Sequence, residues 1–315
     1  MDNSFAIEEN LRRGSKPAVV VTGGAGFIGS HLVEALLGRG HTVRVIDNLS
    51  TGQAERVHPA ADLIVADIAR AVALEHLFEG IDCVFHAAAL PRVPLSIENP
   101  LETHIANVVG TINVLIAARN AGVRRVIFSG SSSVYGDQAQ LPLNEAMKPN
   151  PLSPYALQKL TGEHYTRLFH SLYGLQTLTL RYFNVFGPRM ATQGAYVTVI
   201  SAFLRQRIAG KPLTIEGDGE QTRDFTHVRD VVRANLLAMD CATADGRALN
   251  VGQGRQVSVN WVARQIGGPM VGLPARKADV RHTLADFHQA EEILGWRPQV
   301  TTEQGLADLI KASGL

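Results

Sequence analysis

The chain has 315 residues, of which 45% are hydrophobic and 19% charged. This composition is typical of a folded globular protein and excludes a disordered or fibrous one. The 30 lysines and arginines are interspersed with 29 aspartates and glutamates, so the chain lacks the basic field that attracts nucleic acid. Its 2 cysteines and 11 histidines stand in no metal-ligand spacing, and we expect neither a disulfide framework nor a metal site.

The N-terminal segment 1–16 carries no long apolar core of the kind found in signal peptides. No apolar run in the chain reaches transmembrane length. We therefore expect a flexible N-terminal extension on a cytosolic protein that does not contact a membrane. Cys83 and Cys241 are expected to be reduced thiols in that compartment.

Short β-branched runs alternate with amphipathic segments through the first half of the chain. This alternation predicts βαβ units and an α/β fold with a doubly wound, Rossmann-type parallel sheet over residues 17–183. Strands are predicted at 17–23, 41–47, 62–68, 82–89, 124–130 and 175–183, and helices at 27–39, 101–121 and 154–173. Residues 184–315 have a mixed, turn-rich pattern and are expected to form mainly a smaller substrate-binding lobe, with some elements returning to the sheet.

Glycines follow the first predicted strand in the sequence TGGAGFIGSH. Gly23, Gly26 and Gly29 place bare N–H groups at the start of a helix, where the helix dipole favours a diphosphate. Asp47 ends the second predicted strand, where a carboxylate can accept hydrogen bonds from an adenosine ribose. Together these features predict dinucleotide binding, although a glycine triplet alone could make only a tight turn. The charge of Asp47 would repel a 2′-phosphate, which favours NAD over NADP.

The sequence SPYALQK places a tyrosine and a lysine on one predicted helix. Tyr155 and Lys159 are at i and i+4 and share a face, and Pro154 favours the start of the helix. A free phenol is a poor base, but a cation about 5 Å away is worth roughly 3 kcal/mol at an effective dielectric of about 20. Lys159, aided by a cationic nicotinamide ring, is therefore expected to lower the pKa of Tyr155 and make it a proton acceptor.

A run of serines follows the fifth predicted strand in FSGSSSVYG. Ser131 is placed to hydrogen-bond a sugar hydroxyl and to steady the oxygen that loses its proton. Ser132 and Ser133 could share this task. A tyrosine and lysine at this spacing often lie on a helix surface by chance, so the catalytic interpretation depends on the order of glycine loop, acidic strand end, serine loop and Tyr-Lys pair.

With these residues in this order, the chain resembles the extended short-chain dehydrogenase/reductase superfamily. Within it, the chain is similar to nucleotide-sugar 4-epimerases of the UDP-hexose and UDP-N-acetylhexosamine type. The resemblance covers residues 17–315 and rests on the motifs TGGAGFIG, DNLSTG, HAAALPRVPLSIENP, SSSVYGD, SPYALQK, RYFNVFGPRM, GDGEQTRDFTHVRD, RKADVRHTLAD and LGWRP.

The resemblance implies that bound NAD takes a hydride from C4 of the sugar while Tyr155 removes the 4-hydroxyl proton. The 4-keto sugar then turns over and receives the same hydride on its other face, with Ser131, Tyr155 and Lys159 as catalytic residues. The implied cofactor contacts are Gly23, Gly26, Phe27, Ile28, Gly29, Asp47, Asn48, Asp67, Ile68, Ala87, Ala88, Ala89, Asn107, Tyr155, Lys159 and Tyr182. The implied substrate contacts are Ser131, Ser132, Asn184, Arg223, Arg276, Asp279 and Thr283.

The roles of these substrate residues follow from their chemistry. Arg223 and Arg276 suit a diphosphate, since a guanidinium matches phosphate oxygens with a fixed fork of donors. Thr283 falls where relatives limit the space around the sugar's C2 substituent, and its small size favours an N-acetyl group, although it could be only a strand residue. Arg92 stands where relatives usually have a small residue. If it enters the pocket it could pair with a uronate carboxylate, and otherwise it lies on the surface.

Different activities on the same scaffold remain open at this point. Related dehydratases and decarboxylases carry an acidic residue in the serine loop, whereas this chain has Ser132 and Ser133, which favours epimerisation. The chain could also be a net dehydrogenase or a non-catalytic dinucleotide sensor.

The predicted helices 101–121 and 154–173 resemble those through which relatives dimerise as a four-helix bundle, so a homodimer is expected. Their apolar stripes could equally face the sheet.

Overall fold

The computed structural model describes residues 16–191, 198–275 and 280–315. Strands are present at β1 (Ala18–Thr22), β2 (Val43–Asp47), β3 (Asp62–Val65), β4 (Ile81–His86), β5 (Arg125–Ser131), β6 (Gln176–Tyr182), β7 (Val185–Phe186), β8 (Leu213–Glu216), β9 (Thr222–Arg223), β10 (Thr226–His227), β11 (Asp245–Val251), β12 (Val257–Ser258) and β13 (Met270–Leu273). The predicted N-terminal extension lies outside the described residues, apart from its last position.

Helices connect these strands. They are α1 (Phe27–Gly38), α2 (Val93–Glu98), α3 (Pro100–Asn120), α4 (Pro154–Tyr173), α5 (Val199–Ile208), α6 (Val228–Asp240), α7 (Val259–Ile266), α8 (His288–Leu294) and α9 (Thr302–Ala312). Short 3₁₀ turns lie at Ala54–Arg56, Ala71–Leu74 and Ser132–Tyr135. All three helices and all six strands predicted in the first half of the chain are present, shifted by a few residues at their ends.

Seven parallel strands form the central sheet in the order β11-β6-β5-β4-β1-β2-β3. The chain starts at β1, proceeds outward through β2 and β3, and then crosses to β4 and proceeds in the other direction. This order confirms the predicted doubly wound, Rossmann-type sheet. It also opens a crevice at the carboxyl ends of β1 and β4, where ligands of such sheets bind.

The central strands β1 and β4 are buried on both faces, and their sequences are accordingly largely apolar. Val19 and Val21 of β1 pack in a core formed with α1 and α6, while Val20 faces a second core that includes Val114 and Leu115 of α3. The helix α6 and the edge strand β11 come from the C-terminal half of the chain, so that half completes the sheet as well as forming a separate lobe.

The smaller lobe has its own apolar core. It contains Phe203 of α5, Leu213 of β8, Val262 of α7 and Leu306 of α9. Three two-stranded sheets, β7 with β10, β9 with β12, and β8 with β13, surround this core. The lobe therefore follows the mixed, turn-rich pattern of the sequence from residue 184 onward.

The helix α3 is long and apolar enough to cross a bilayer by length and composition alone. It contains a π-helical turn at Ile105–Val109, and Val114, Leu115 and Ala118 are fully buried against the sheet. Such a helix is what a buried connection in an α/β fold requires, and it is no indication of a membrane span.

A buried polar network connects the strands near the site. The Arg181 guanidinium on β6 donates to Glu163 of α4 at 2.9 Å and to the Tyr135 hydroxyl at 2.8 Å. The Tyr135 hydroxyl in turn donates to Asn250 of β11 at 2.7 Å. The Arg181 and Glu163 side chains are only 4% and 11% exposed. This network fixes the edge strand β11 and the helix α4 to the same part of the sheet.

Removal of the acid from this network should leave a buried, unpaired guanidinium. We expect Glu163→Ala to lower the free energy of unfolding by about 3–5 kcal/mol. The matched control is Asp245→Ala, which removes the exposed partner of Arg247 and should cost less than about 1 kcal/mol. Urea denaturation of both variants measures the two losses. Equal losses would show that the buried pair has no special role in stability.

Candidate active site

The glycine loop brings the main chain against the end of the sheet. Gly23 has a φ of +72°, and a Cβ there would lie 2.6 Å from the Ala88 nitrogen. A Cβ at Gly29 would lie 2.1 Å from the Gly23 carbonyl oxygen. The helix α1 begins after Gly26 with no side chain capping its first N–H groups. These groups are therefore available to a diphosphate at the positive end of the helix.

Asp47 lies at the carboxyl end of β2 and is 8% exposed. Its carboxylate accepts hydrogen bonds from the Ala25 nitrogen at 3.0 Å and the Leu49 nitrogen at 2.9 Å, one to each oxygen. These bonds fix the carboxylate beside the glycine loop. Each oxygen retains a second lone pair that can accept a hydrogen bond from a ribose hydroxyl, so the local arrangement fits an adenosine ribose.

A cleft of about 330 Å³ extends along the carboxyl ends of the strands, from Asp47 and Asp67 on one side of β1 to Tyr155 and Lys159 on the other. Every predicted cofactor contact lines this cleft except Asn107. The extent of this cleft across the sheet, the glycine loop and the acidic strand end together fit a dinucleotide.

Asn107 has a different position from the one that the resemblance implies. Its amide oxygen accepts from the Leu90 nitrogen at 2.7 Å, and its amide nitrogen donates to the Leu90 oxygen at 3.2 Å and to the Gln158 side-chain oxygen at 2.8 Å. With its amide bonded within the protein and the residue 2% exposed, Asn107 is not placed for direct contact with a cofactor. It fixes the loop after β4 to the helix α4 instead.

The N-terminus of α4 is fixed by two serines. Ser153 caps the helix by accepting from the Ala156 nitrogen at 3.2 Å. The N–H group of Tyr155 likewise has no partner within the helix. It donates to the hydroxyl of the fully buried Ser96 on α2 at 3.0 Å. Helix starts leave such N–H groups without partners inside the helix. Ser96 therefore positions Tyr155, and nothing in the sequence pattern of α2 identified it beforehand.

Tyr155 retains some surface open to the cleft but is otherwise surrounded by protein. Burial raises its pKa to about 12, and a side-chain hydrogen bond with Ser131 opposes this rise only partly. Ser131 also accepts from the Ser133 nitrogen at 3.2 Å and the Ser133 hydroxyl at 2.9 Å. The serine loop is thus oriented toward the tyrosine as predicted, with Ser133 supporting Ser131.

Lys159 has a different effect from the predicted one. Its ammonium donates to the Ser129 carbonyl oxygen at 2.8 Å and lies 4.9 Å from the centre of the Phe128 ring. Burial lowers the pKa of Lys159 to about 8. In the protein alone, the expectation that Lys159 lowers the pKa of Tyr155 is therefore wrong. Desolvation of the phenol outweighs the effect of an ammonium that is directed to the Ser129 carbonyl oxygen.

The predicted substrate residues are only partly brought together. Asn184 is exposed, and Arg223 donates to the Thr222 carbonyl oxygen at 2.9 Å. Thr283 uses its hydroxyl to accept from the Asp224 nitrogen at 3.1 Å, so it supports the main chain rather than lining the described part of the cleft. Ser132 is partly buried and does not line this part of the cleft either.

Two further predicted substrate residues, Arg276 and Asp279, lie outside the described residues. Conversely, the cleft includes residues that the sequence pattern did not assign to it. Arg56 lines it beside Asp47, and Arg92 lines it beside Pro91. Of the two positions considered for Arg92, the structure favours the pocket, since this residue is partly buried and lines the cleft.

A doubly wound sheet with a glycine loop, an acidic strand end and a Tyr-Lys pair defines a dinucleotide-dependent protein of the short-chain dehydrogenase/reductase type. The model of the NAD dependent epimerase/dehydratase family matches residues 19–252. The chain belongs to this family. Its cofactor is accordingly NAD, as the charge of Asp47 predicts.

Individual relatives are similar over almost the whole chain. UDP-glucose 4-epimerase of Mycolicibacterium smegmatis is 38% identical over 306 residues, covering 93% of this chain and 97% of the relative. UDP-glucuronic acid decarboxylase 2 of Arabidopsis thaliana is 36% identical and covers 93% of this chain and 67% of the relative. The crystal structure of UDP-glucose 4-epimerase from Thermotoga maritima with UDP-glucose has a TM-score of 0.90 at 37% identity, covering 93% and 97% of the two chains.

The lowered pKa of Lys159 makes the stability of the nucleotide-free protein dependent on pH. Between about 8 and the ordinary value of 10.5, the unfolded chain binds a proton that folded Lys159 has lost. The free energy of unfolding should therefore rise with pH in this window. We expect the difference between wild type and Lys159→Met to be constant below about pH 8 and to shift in favour of wild type from pH 8 to 10.5.

Chemical denaturation at a series of pH values measures this difference. Lys311→Met removes an exposed lysine and serves as the matched control, measured over the same pH series. A flat difference for Lys159→Met would contradict the lowered pKa.

Proposed function

We propose that the protein is a UDP-sugar 4-epimerase, an isomerase that inverts C4 of the sugar through a transient 4-keto intermediate. The observation that supports this most is the position of Tyr155. Its hydroxyl lies at the cleft, bonded to Ser131, one helical turn from Lys159. Bound NAD would supply an acceptor for the C4 hydride and return the same hydride to the opposite face.

The residues of the chain supply the proton chemistry. Tyr155 takes the proton of the 4-hydroxyl as the C–H bond at C4 breaks, and returns it when the hydride comes back. Ser131 holds the tyrosine oxygen and the sugar oxygen close together. Lys159 is held between Ser129 and Phe128, where it can fix a ribose hydroxyl and add positive charge beside the site. Because the phenol is difficult to ionise in the protein alone, the reaction requires the further positive charge of the oxidised cofactor.

The distribution of acids distinguishes epimerisation from elimination of water. Within the described part of the cleft lining, the carboxylates are those of Asp47 and Asp67. Asp47 ends β2 and Asp67 follows β3, both on the adenosine side of β1 and away from Tyr155. Elimination of water across C5 and C6 needs an acid and a base beyond C4, so these positions favour an epimerase. The identity to a UDP-glucuronic acid decarboxylase keeps decarboxylation as the second candidate.

We also infer that the protein is a homodimer formed through α3 and α4. Both helices carry large apolar side chains on the solvent side, among them Leu101, Ile105, Leu168 and Leu172, which are 71%, 42%, 49% and 67% exposed. Apolar stripes of this kind on neighbouring helices support a four-helix bundle between two copies.

Both cysteines are free, which supports a cytosolic location.

A panel of nucleotide sugars tests the proposed reaction. The purified protein should interconvert at least one pair of C4 epimers without added cofactor, when given UDP-glucose, UDP-N-acetylglucosamine, UDP-glucuronate and their C4 partners. Chromatography separates the products. Loss of water or carbon dioxide would support a dehydratase or decarboxylase instead, and inactivity on every pair with retained NAD binding would support a dinucleotide sensor.

Substitution of the tyrosine tests its role. We expect Tyr155→Phe to lower kcat by about 10²–10⁴-fold, the usual contribution of a positioned acid–base group, while the Kd for UDP-sugar changes little. The control is Tyr173→Phe at the exposed end of the same helix, which should leave kcat unchanged. Equal effects of Tyr155→Phe on kcat and on binding would contradict the assigned role.

A further inference from the structure

Arg92 immediately precedes α2 and lines the catalytic cleft. Its side chain is partly buried beside Pro91 and Ala106. Within residues 16–191, 198–275 and 280–315, its guanidinium makes no hydrogen bond and no ion pair. Other partly buried arginines do have such partners, as Arg189 has Glu34 and Arg233 has Asp230. A partly buried cation without a partner costs free energy, which indicates that its partner is an anionic ligand.

The position of Arg92 in the cleft shows which part of the ligand it faces. The Arg92 carbonyl oxygen accepts from the Ser96 nitrogen at 3.0 Å, and the Ser96 hydroxyl accepts from the Tyr155 nitrogen at 3.0 Å. One turn of α2 therefore connects the main chain of Arg92, through Ser96, to the main chain of Tyr155. Arg56, the other cleft arginine without such a partner among the described residues, lies instead beside Asp47 at the adenosine end. Arg92 follows β4, on the Tyr155 side of β1, and therefore lies on the side of the cleft where the tyrosine acts on the reacting carbon.

The chemistry of UDP-sugars leaves one anionic group near that carbon. Tyr155 acts at C4 in the proposed reaction, and C5 is bonded directly to C4. In a UDP-uronic acid, C5 carries a carboxylate, whereas in a neutral UDP-hexose it carries a hydroxymethyl group. The diphosphate is attached to C1 on the far side of the ring. A guanidinium at the Tyr155 end therefore matches a carboxylate on C5, with which it can form paired hydrogen bonds.

We propose that Arg92 recognises the carboxylate of the sugar, so that the substrate is a UDP-uronic acid and the reaction interconverts UDP-glucuronate and its C4 epimer. This inference depends on the proposed epimerase activity for its assignment of C4 to Tyr155. It names Arg92 as a specificity-determining residue rather than as a member of the acid–base machinery.

Binding measurements test this inference independently of turnover. Isothermal titration of the NAD-loaded protein gives the Kd for UDP-glucuronate, UDP-glucose and UDP. Wild type should bind UDP-glucuronate more tightly than UDP-glucose. Arg92→Ala should weaken UDP-glucuronate binding by about 10–100-fold, as expected for loss of a hydrogen bond to a charged group, and should change the Kd of UDP-glucose and UDP by less than about 3-fold. Arg92→Lys should retain part of the preference.

Different outcomes would overturn the inference. If Arg92→Ala weakens UDP and all UDP-sugars equally, Arg92 binds the diphosphate and not the sugar. If wild type prefers UDP-glucose, no carboxylate is recognised. The matched control Arg264→Ala, at an exposed position of α7, should alter none of these affinities.

Turnover separates failure of this inference from failure of the proposed function. If wild type epimerises neutral UDP-hexoses but neither binds nor converts UDP-glucuronate, the proposed function stands and the role of Arg92 is wrong. If wild type binds UDP-glucuronate through Arg92 but epimerises no sugar, carboxylate recognition stands and the epimerase assignment is wrong.

Discussion

Desolvation of the Tyr155 phenol is the constraint on which the rest of the site depends. The surrounding protein holds the phenol in its neutral form, and neither Ser131 nor Lys159 reverses this effect in the protein alone. A neutral phenol cannot accept a proton, so the site is a poor base until further positive charge enters the cleft. The dinucleotide cleft ends at this tyrosine, which makes bound cofactor a condition for acid–base chemistry as well as the hydride acceptor.

The scaffold around Tyr155 keeps it in one position. The hydroxyl of Ser96 accepts from the tyrosine N–H group, and Asn107 fixes Leu90 and Gln158 to each other. The loop after β4 and the helix α4 therefore form one unit. The buried network of Arg181 and Glu163 fixes that same helix to the sheet. Rigid support of this kind suits a reaction in which the sugar must turn over while the catalytic oxygen stays in place.

The sequence predicted the sheet well because its central strands, such as β1 and β4, are buried on both faces. Runs such as AVVV in β1 have no polar alternation, and glycines at Gly23 and Gly29 mark a place where the main chain must approach closely. The edge strand β11 was not identified individually. Its sequence DGRALNV includes a glycine and an arginine, and it becomes a strand through its long-range pairing with β6.

The composition of the site could be predicted better than its energetics. The linear order of motifs placed every predicted cofactor contact except Asn107 at the cleft, although about half of the residues that line the cleft were not among the predicted contacts. It could not show that the ammonium of Lys159 points to the Ser129 carbonyl oxygen, and so it gave the wrong direction for the pKa of Tyr155. Nor could it show that the polar atoms of Thr283 and Asn107 are bonded to main-chain groups or side chains far away in sequence. Only the assembled structure shows such competition for partners.

Titration of the Tyr155 phenol, with and without NAD, tests the central claim most directly. The ultraviolet difference spectrum between wild type and Tyr155→Phe isolates the phenolate of this one tyrosine. Without nucleotide, the phenol should ionise near pH 12. With oxidised NAD bound, it should ionise below about pH 10, the ordinary value for a free phenol. Ionisation near pH 12 in both states would contradict the claim that cofactor charge makes Tyr155 the proton acceptor.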